Sequence, residues 1–131
     1  MADELQRAVR EWLEEQEHAG IPAGKRKVPG KLDDLLWNVL TELQRKPFLT
    51  TKRLVFYYEI RGYEMFVSRK DKSITRSSVM LSFHRALELQ AEGKPVSGPK
   101  KLGTFGASYL YPIFQEIGVL PHPLTRKHDA E

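Results

Sequence analysis

The sequence predicts a small α+β domain, mostly helical, with one β-hairpin in the order α-α-β-β-α-α. Four stretches repeat their apolar residues at helical spacing, and one stretch between them has the period of two that is typical of strands. Segments containing Gly and Pro separate these stretches. The length of 131 residues, with 40% hydrophobic and 29% charged residues, is typical of one folded domain.

The chain begins with an acidic amphipathic stretch that predicts a helix over residues 3–18. Asp3 and Glu4 lie at its start, where the positive end of the helix favours acidic side chains. Its apolar stripe is costly to leave in water, so we expect it to dock on the chain's own body or on a second copy. We favour a homodimer, because the following linker is long enough to reach a neighbouring subunit. The expected interaction residues are Leu5, Val9, Trp12 and Leu13.

Changes in composition divide the chain into four segments. The second of them combines Gly, Pro and basic residues, which is typical of a linker or long loop. The last is polar with two prolines, and we expect it to be disordered. The predicted segments are the acidic helix 1–19, the basic linker 20–31, the globular α+β domain 32–120 and the tail 121–131.

The second helix, over about residues 32–45, is the most strongly patterned element. Asp33 and Asp34 favour its N-terminus, and Pro47 ends it. One wide apolar stripe runs along it, which predicts that this face lies in the core. The stripe consists of Leu32, Leu35, Leu36, Val39, Leu40 and Leu43.

Residues 53–68 predict a β-hairpin whose turn is Arg61-Gly62. This register would place all the apolar cross-strand partners on one face of the hairpin. The predicted pairs are Ile60–Tyr63, Tyr58–Met65 and Phe56–Val67 on that face, and Tyr57–Phe66 on the other. A helix capped by Thr50 is an alternative for this stretch, because some of its apolar residues also fit helical spacing.

The third helix is predicted to begin near Arg76 and to stop at Gly93. Thr75 is a typical N-cap residue, and Ile74 and Val79 occupy the two positions of a hydrophobic staple. The pattern therefore marks this helix start clearly.

The last helix is predicted to start between residues 108 and 111 and to end at Gly118. Pro112 places the start there, because proline is tolerated in a first turn and not further inside a helix. We interpret Phe105, Tyr109 and Tyr111, in and after the preceding glycine-rich loop, as packing against the core.

Charge is unevenly distributed along the chain. Residues 1–24 carry a net charge of −4 and the remaining residues a net charge of +8. This asymmetry indicates a basic body that could meet phosphate groups, although solvated surfaces of an ordinary protein have the same composition. Folding back of the acidic helix over the basic surface would oppose nucleic-acid binding.

The stretch 68–89, SRKDKSITRSSVMLSFHRALEL, has the chemistry of a nucleic-acid contact. Small hydroxyl groups and free N–H groups at a helix start can bind phosphate oxygens, and Arg76 can reach phosphate or guanine. This stretch resembles the recognition-helix region of helix-turn-helix DNA-binding proteins, in which a Ser/Thr/Arg cluster caps a helix whose apolar face packs on the body. It departs from that pattern because a hairpin precedes it, whereas those proteins have a short helix there.

The resemblance implies a small regulatory protein that binds double-stranded DNA through this helix. The second basic stretch, between Gly98 and Gly106, could hold the DNA backbone. Its lysines and aromatic rings equally suit a single strand, whose bases stack on rings. The expected DNA-binding residues are Arg69, Lys70, Lys72, Thr75, Arg76, Ser77, Ser78, His84, Arg85, Lys100 and Lys101.

Other classes of function have little support in the sequence. The chain has no cysteine, and its four histidines are scattered, so we expect no metal, no cofactor and no enzyme activity. No apolar run approaches the roughly 18 residues of a membrane span, so we expect a cytoplasmic protein without a membrane partner. The alternative function is a protein-interaction module that uses the Trp12 helix or the Tyr57/Phe66 face.

Overall fold

The computed structural model describes residues 2–22 and 25–121. In these residues the chain forms a small α+β fold of four α-helices and two antiparallel sheets, which confirms the predicted class and order. The tail prediction for 121–131 falls almost entirely outside the described residues. The elements are α1 (Asp3–Ala19), α2 (Gly30–Glu42), β1 (Phe48–Leu49), β2 (Val55–Phe56), β3 (Tyr58–Arg61), β4 (Glu64–Val67), β5 (Ile74–Thr75), α3 (Arg76–Ala91), a 3₁₀ turn (Pro99–Lys101) and α4 (Ala107–Glu116).

Helix α3 lies at the centre of the fold, in contact with α1, α4 and β5. Its apolar residues Val79, Phe83 and Leu87 are fully buried, and Phe83 packs edge-on against Phe114 of α4. The stripe predicted for α2 also lies in this core, with four of its six residues buried and two partly buried. The central helix is therefore covered on several sides by its own chain.

Helix α1 docks on the chain's own body and shares the same core. Leu5, Val9 and Trp12 are buried, and Leu13 is partly buried. The Nε1 atom of Trp12 donates a hydrogen bond to the carbonyl of Lys27 at 3.1 Å. Of the two expected arrangements, the structure has the one in which the helix docks on its own chain. The apolar stripe is therefore buried within the chain and is not available for the dimer contact that we favoured.

The segment between α1 and α2 is also held against the body. Arg26, which is only partly exposed, places its Nη1 atom 2.5 Å from a carboxylate oxygen of Glu88 and 3.8 Å from one of Glu92, both at the end of α3. A charge-assisted contact of this kind fixes the chain locally. Residues 25–29 of this segment therefore do not extend freely from the domain.

The β-hairpin is confirmed, but the predicted register is wrong by two residues. Gly62 and Tyr63 form the turn, and Gly62 has a φ of 60°, which glycine adopts without steric cost. A shift by two keeps each side chain on its face, so Tyr58, Ile60, Met65 and Val67 still point the same way. The observed partners are Tyr58–Val67, Glu59–Phe66, Ile60–Met65 and Arg61–Glu64.

Two short strands that the sequence did not predict complete the sheets. Strand β1 pairs with β2, so that Phe48 lies opposite Phe56, and β5 pairs with β4 through Ile74 and Met65. Phe56 therefore belongs to a separate two-stranded sheet and does not pair with Val67. The three-stranded sheet has the order β3-β4-β5.

The ends of the last two helices test the cap predictions. The N-cap role of Thr75 is confirmed, because its side-chain oxygen accepts a hydrogen bond from the backbone N–H of Ser78 at 3.2 Å. Helix α4 begins at Ala107, one residue before the predicted range, so Pro112 lies inside the helix. Proline there leaves the carbonyl of Ser108 without a helical partner, and Ser108 is exposed to water.

None of the helices within residues 2–22 and 25–121 is long and apolar enough to cross a lipid bilayer.

Candidate nucleic-acid interface

The side of α3 that was expected to contact DNA is covered in part by α2 and by the segment before α2. Arg76 reaches Asp34 at 3.2 Å, and the Nε2 atom of His84 lies 2.7 Å from Asp33. Glu88 on the same side is paired with Arg26. Arg85 and Leu81 on the same side remain exposed.

The hydroxyl groups at the start of α3 bond to their own helix. Thr75 accepts a hydrogen bond from the Ser78 backbone N–H, and its hydroxyl lies 3.3 Å from that of Ser78. The backbone N–H of Arg76 donates to the carbonyl of Tyr63 at 2.7 Å. Of the three predicted hydroxyl-bearing residues, Thr75 and Ser77 are exposed, and the Ser77 side chain makes no hydrogen bond to a residue that the structure describes.

Two basic loops that are far apart in sequence meet at the ring of Phe105. The Nζ atom of Lys70 lies 4.0 Å from the ring centroid, and that of Lys72 lies 5.5 Å away. Phe105 keeps 42% of its surface exposed, so its predicted role as a core residue is wrong. Lysines above a ring face make cation–π contacts that hold both groups in place.

The loop that carries Phe105 is held tightly against the body. Gly106 has a φ of 84°, and a Cβ atom there would lie 2.4 Å from Cδ1 of the buried Ile74. Only glycine allows this approach. Thr104 shares a hydrogen bond with the buried hydroxyl of Ser82 on α3. These contacts fix the position of Phe105 beside the loop between β4 and β5.

We use the name basic-aromatic patch for Phe105 and the cations of both loops. Lys101 is four residues from Phe105, so their Cα atoms are at most about 14 Å apart. None of the five cations forms an ion pair with any residue in the described ranges. Their charge is therefore free to attract an anionic partner. The cations are Arg69, Lys70, Lys72, Lys100 and Lys101.

A second surface feature lies on the outer face of the β3–β4 hairpin. It is an open depression of about 470 Å³, and its walls include the rings of Tyr57 and Phe66, the two residues predicted as an interaction face. The guanidinium of Arg61 covers the Phe66 ring at 4.4 Å. Arg45 and Ser68 also line the depression.

Glu59 holds the two arginines of this depression in place. One carboxylate oxygen accepts hydrogen bonds from Arg61 at 2.9 Å, and the other accepts from Arg45 at 3.2 and 3.3 Å. The hydrogen bonds from Arg61, followed by those from Arg45, lower the pKa of Glu59. The carboxylate therefore stays ionised at neutral pH and keeps both guanidinium groups oriented.

The described residues contain no group of three or more His, Asp or Glu side chains that could hold a metal ion. Burial clearly raises the pKa of Tyr58. Its hydroxyl donates to the carbonyl of Leu40 at 2.5 Å, which is a structural contact inside the core. Neither observation provides reactive groups for an enzyme mechanism.

The structure thus joins residues that the sequence pointed to separately. The patch brings Lys70 and Lys72 over Phe105, whereas Arg76 and His84 turn towards α2. Phe105 was missed as a surface residue, although its position among three glycines and two lysines was a usable signal. Comparison of the chain with protein-family models, curated proteins and solved structures finds no match.

Proposed function

We propose that this protein binds nucleic acid through the basic-aromatic patch. The observation that carries the proposal is the meeting of Lys70 and Lys72 over the exposed ring of Phe105. Lysines without acidic partners release counterions when they meet phosphates, and an exposed ring offers a stacking surface for a base. Arg69, Lys100 and Lys101 extend the positive charge along the backbone of the bound strand.

The proposed contact surface is the basic-aromatic patch, whereas a helix-turn-helix protein would insert α3 itself into a DNA groove. Here α3 supports the patch through Ser82, while Arg76 and His84 are paired with Asp34 and Asp33 of α2. Sequence reading by this helix is therefore not part of the proposed function. Regulation of transcription would follow only if binding proves selective for particular sites.

Substitution of the two lysines tests the proposal through its salt dependence. We expect Lys70→Ala and Lys72→Ala each to weaken binding of a labelled oligonucleotide. Each should also reduce the slope of log affinity against log salt by about 0.7–0.9, depending on the strand form. Fluorescence anisotropy over a series of salt concentrations measures both quantities.

Lys31→Ala is the matched control, because Lys31 is exposed, forms no ion pair with a described residue and lies outside the patch. It should leave the slope unchanged. Equal slopes for all three variants, or binding that does not respond to salt, would reject the patch as the contact surface.

A protein-interaction module is the second candidate, supported by the exposed face of the β1–β2 sheet. Leu49 and Val55 lie opposite each other there and are about half exposed, and Leu54 is adjacent. Contiguous exposed apolar groups are typical of contact surfaces.

A self-associating module predicts a mass that rises with concentration in light scattering. Val55→Ser should then return the protein to a monomer, with its nucleic-acid affinity unchanged. A monomer at all concentrations in the unsubstituted protein would exclude this form of the alternative.

A further inference from the structure

We propose that the depression between Tyr57 and Phe66 binds an unpaired nucleobase together with its phosphate, so that the preferred nucleic acid is single-stranded. This inference rests on the proposed function and specifies the kind of nucleic acid. It uses a surface that the basic-aromatic patch does not include. Four features carry it: the rings, the oriented arginines, the link to the patch and the local charge.

The rings give the depression its affinity for a flat aromatic group. Tyr57, which is 51% exposed, and Phe66, which has Arg61 over its ring, both line the depression. Every nucleobase has a π face that can stack on such a ring or on a guanidinium plane. A volume of about 470 Å³ lies within the usual range of small-molecule sites and accommodates one base.

The arginines provide donors for the phosphate attached to that base. Arg45 and Arg61 each direct Nε and Nη2 at Glu59, and their Nη1 groups make no hydrogen bond to a residue in the described ranges. Glu59 therefore fixes the two guanidinium groups while leaving donors free. Pre-oriented guanidinium groups lose little side-chain entropy when they bind phosphate.

The depression and the patch adjoin each other along the chain. Ser68 lines the depression, and Lys70, two residues later, lies over Phe105. The Cα atoms of Ser68 and Lys70 are at most about 7 Å apart. A single strand that places one base beside Tyr57 can therefore continue with its phosphates along the lysines and stack a second base on Phe105.

The charge around the depression favours a polyanion. Residues 43–58 contain four basic residues and no acidic one. The charged side chains that line the depression are Arg45, Arg61 and Glu59, so the lining carries one net positive charge. A paired base in a duplex is stacked inside the helix and cannot enter such a site without being extruded, which costs free energy.

The test compares two single-stranded oligonucleotides and a DNA duplex, each with three forms of the protein. One oligothymidylate is intact, and the other has the same length but lacks all its bases, so it offers the same phosphates without rings. We expect Tyr57→Ala to weaken binding of the intact strand by about 5- to 150-fold, the range observed for the loss of one stacked base. The same substitution should leave the affinity for the abasic strand and for duplex DNA unchanged.

Tyr57→Phe is the matched variant, because it keeps the ring and removes only the hydroxyl. It should bind the intact strand as well as the unsubstituted protein does. Circular dichroism checks that the variants are folded, which we expect since Tyr57 is half exposed.

The outcomes separate the two proposals. Salt-dependent binding that is equal for intact and abasic strands, or insensitive to Tyr57→Ala, would overturn this inference and leave the proposed function standing. Absence of salt-dependent binding to any of the probes would overturn both. Loss of self-association in Tyr57→Ala, with unchanged nucleic-acid affinity, would assign the face to protein contact and also overturn the inference.

Discussion

Trp12→Ala should lower the free energy of unfolding by about 3–5 kcal/mol, the usual cost of removing a buried tryptophan. Trp12 is 4% exposed, and its Nε1 atom donates to the carbonyl of Lys27. Truncation removes both the apolar contact and the donor that ties the segment after α1. A loss of this size is a large fraction of the total stability of a typical domain. Urea denaturation, with the m-value compared between variants, measures it.

Arg10→Ala is the control for this prediction, because Arg10 lies on the exposed side of the same helix. It should change stability by less than about 0.5 kcal/mol. If Trp12→Ala has an equally small effect, α1 is an appendage and not part of the core. In that case, deletion of residues 1–20 would leave a folded protein, and a gain in nucleic-acid affinity would show that α1 masks the basic surface.

Gly106→Ala should lower the free energy of unfolding by about 2–4 kcal/mol. A side chain at a φ of 84° is strained, and the new Cβ atom would lie 2.4 Å from the fully buried side chain of Ile74. The loop must shift to relieve this contact, and Phe105 shifts with it. We therefore expect weaker nucleic-acid binding in a variant that is still folded at low temperature.

Gly103→Ala separates backbone strain from the clash. Gly103 has a φ of 61°, but the nearest atom to its Cβ position is 4.0 Å away. The substitution should cost only the conformational strain of about 1–2 kcal/mol. Equal losses in the two variants, measured by thermal and urea denaturation, would show that the contact with Ile74 does not hold the loop.

Local sequence signals predicted the helices of this protein well, and the reasons are physical. The α2 stripe repeats at helical spacing because its residues share one buried face, and Thr75 caps α3 because its oxygen reaches the N–H of Ser78. Such features depend on residues within one or two turns of each other. They can be predicted without knowledge of the rest of the chain.

The hairpin shows where local prediction becomes less accurate. Alternation assigned the correct face to Tyr58, Ile60 and Met65, since face depends only on parity along the strand. The register depends on which two residues form the turn, and we attribute the choice of Gly62-Tyr63 over Arg61-Gly62 to pairing with β5 and to the hydrogen bond from Tyr58 to Leu40 of α2. Those contacts are distant in sequence.

The candidate site, like the hairpin, depends partly on local sequence and partly on tertiary contacts. The sequence by itself determined which residues carry charge and which helices have buried faces, because these depend on side-chain chemistry and local periodicity. Only the tertiary structure decided that Asp33 and Asp34 engage His84 and Arg76, and that Phe105 lies under Lys70 and Lys72. Each of these contacts joins residues more than thirty positions apart, so its formation depends on how the whole core packs.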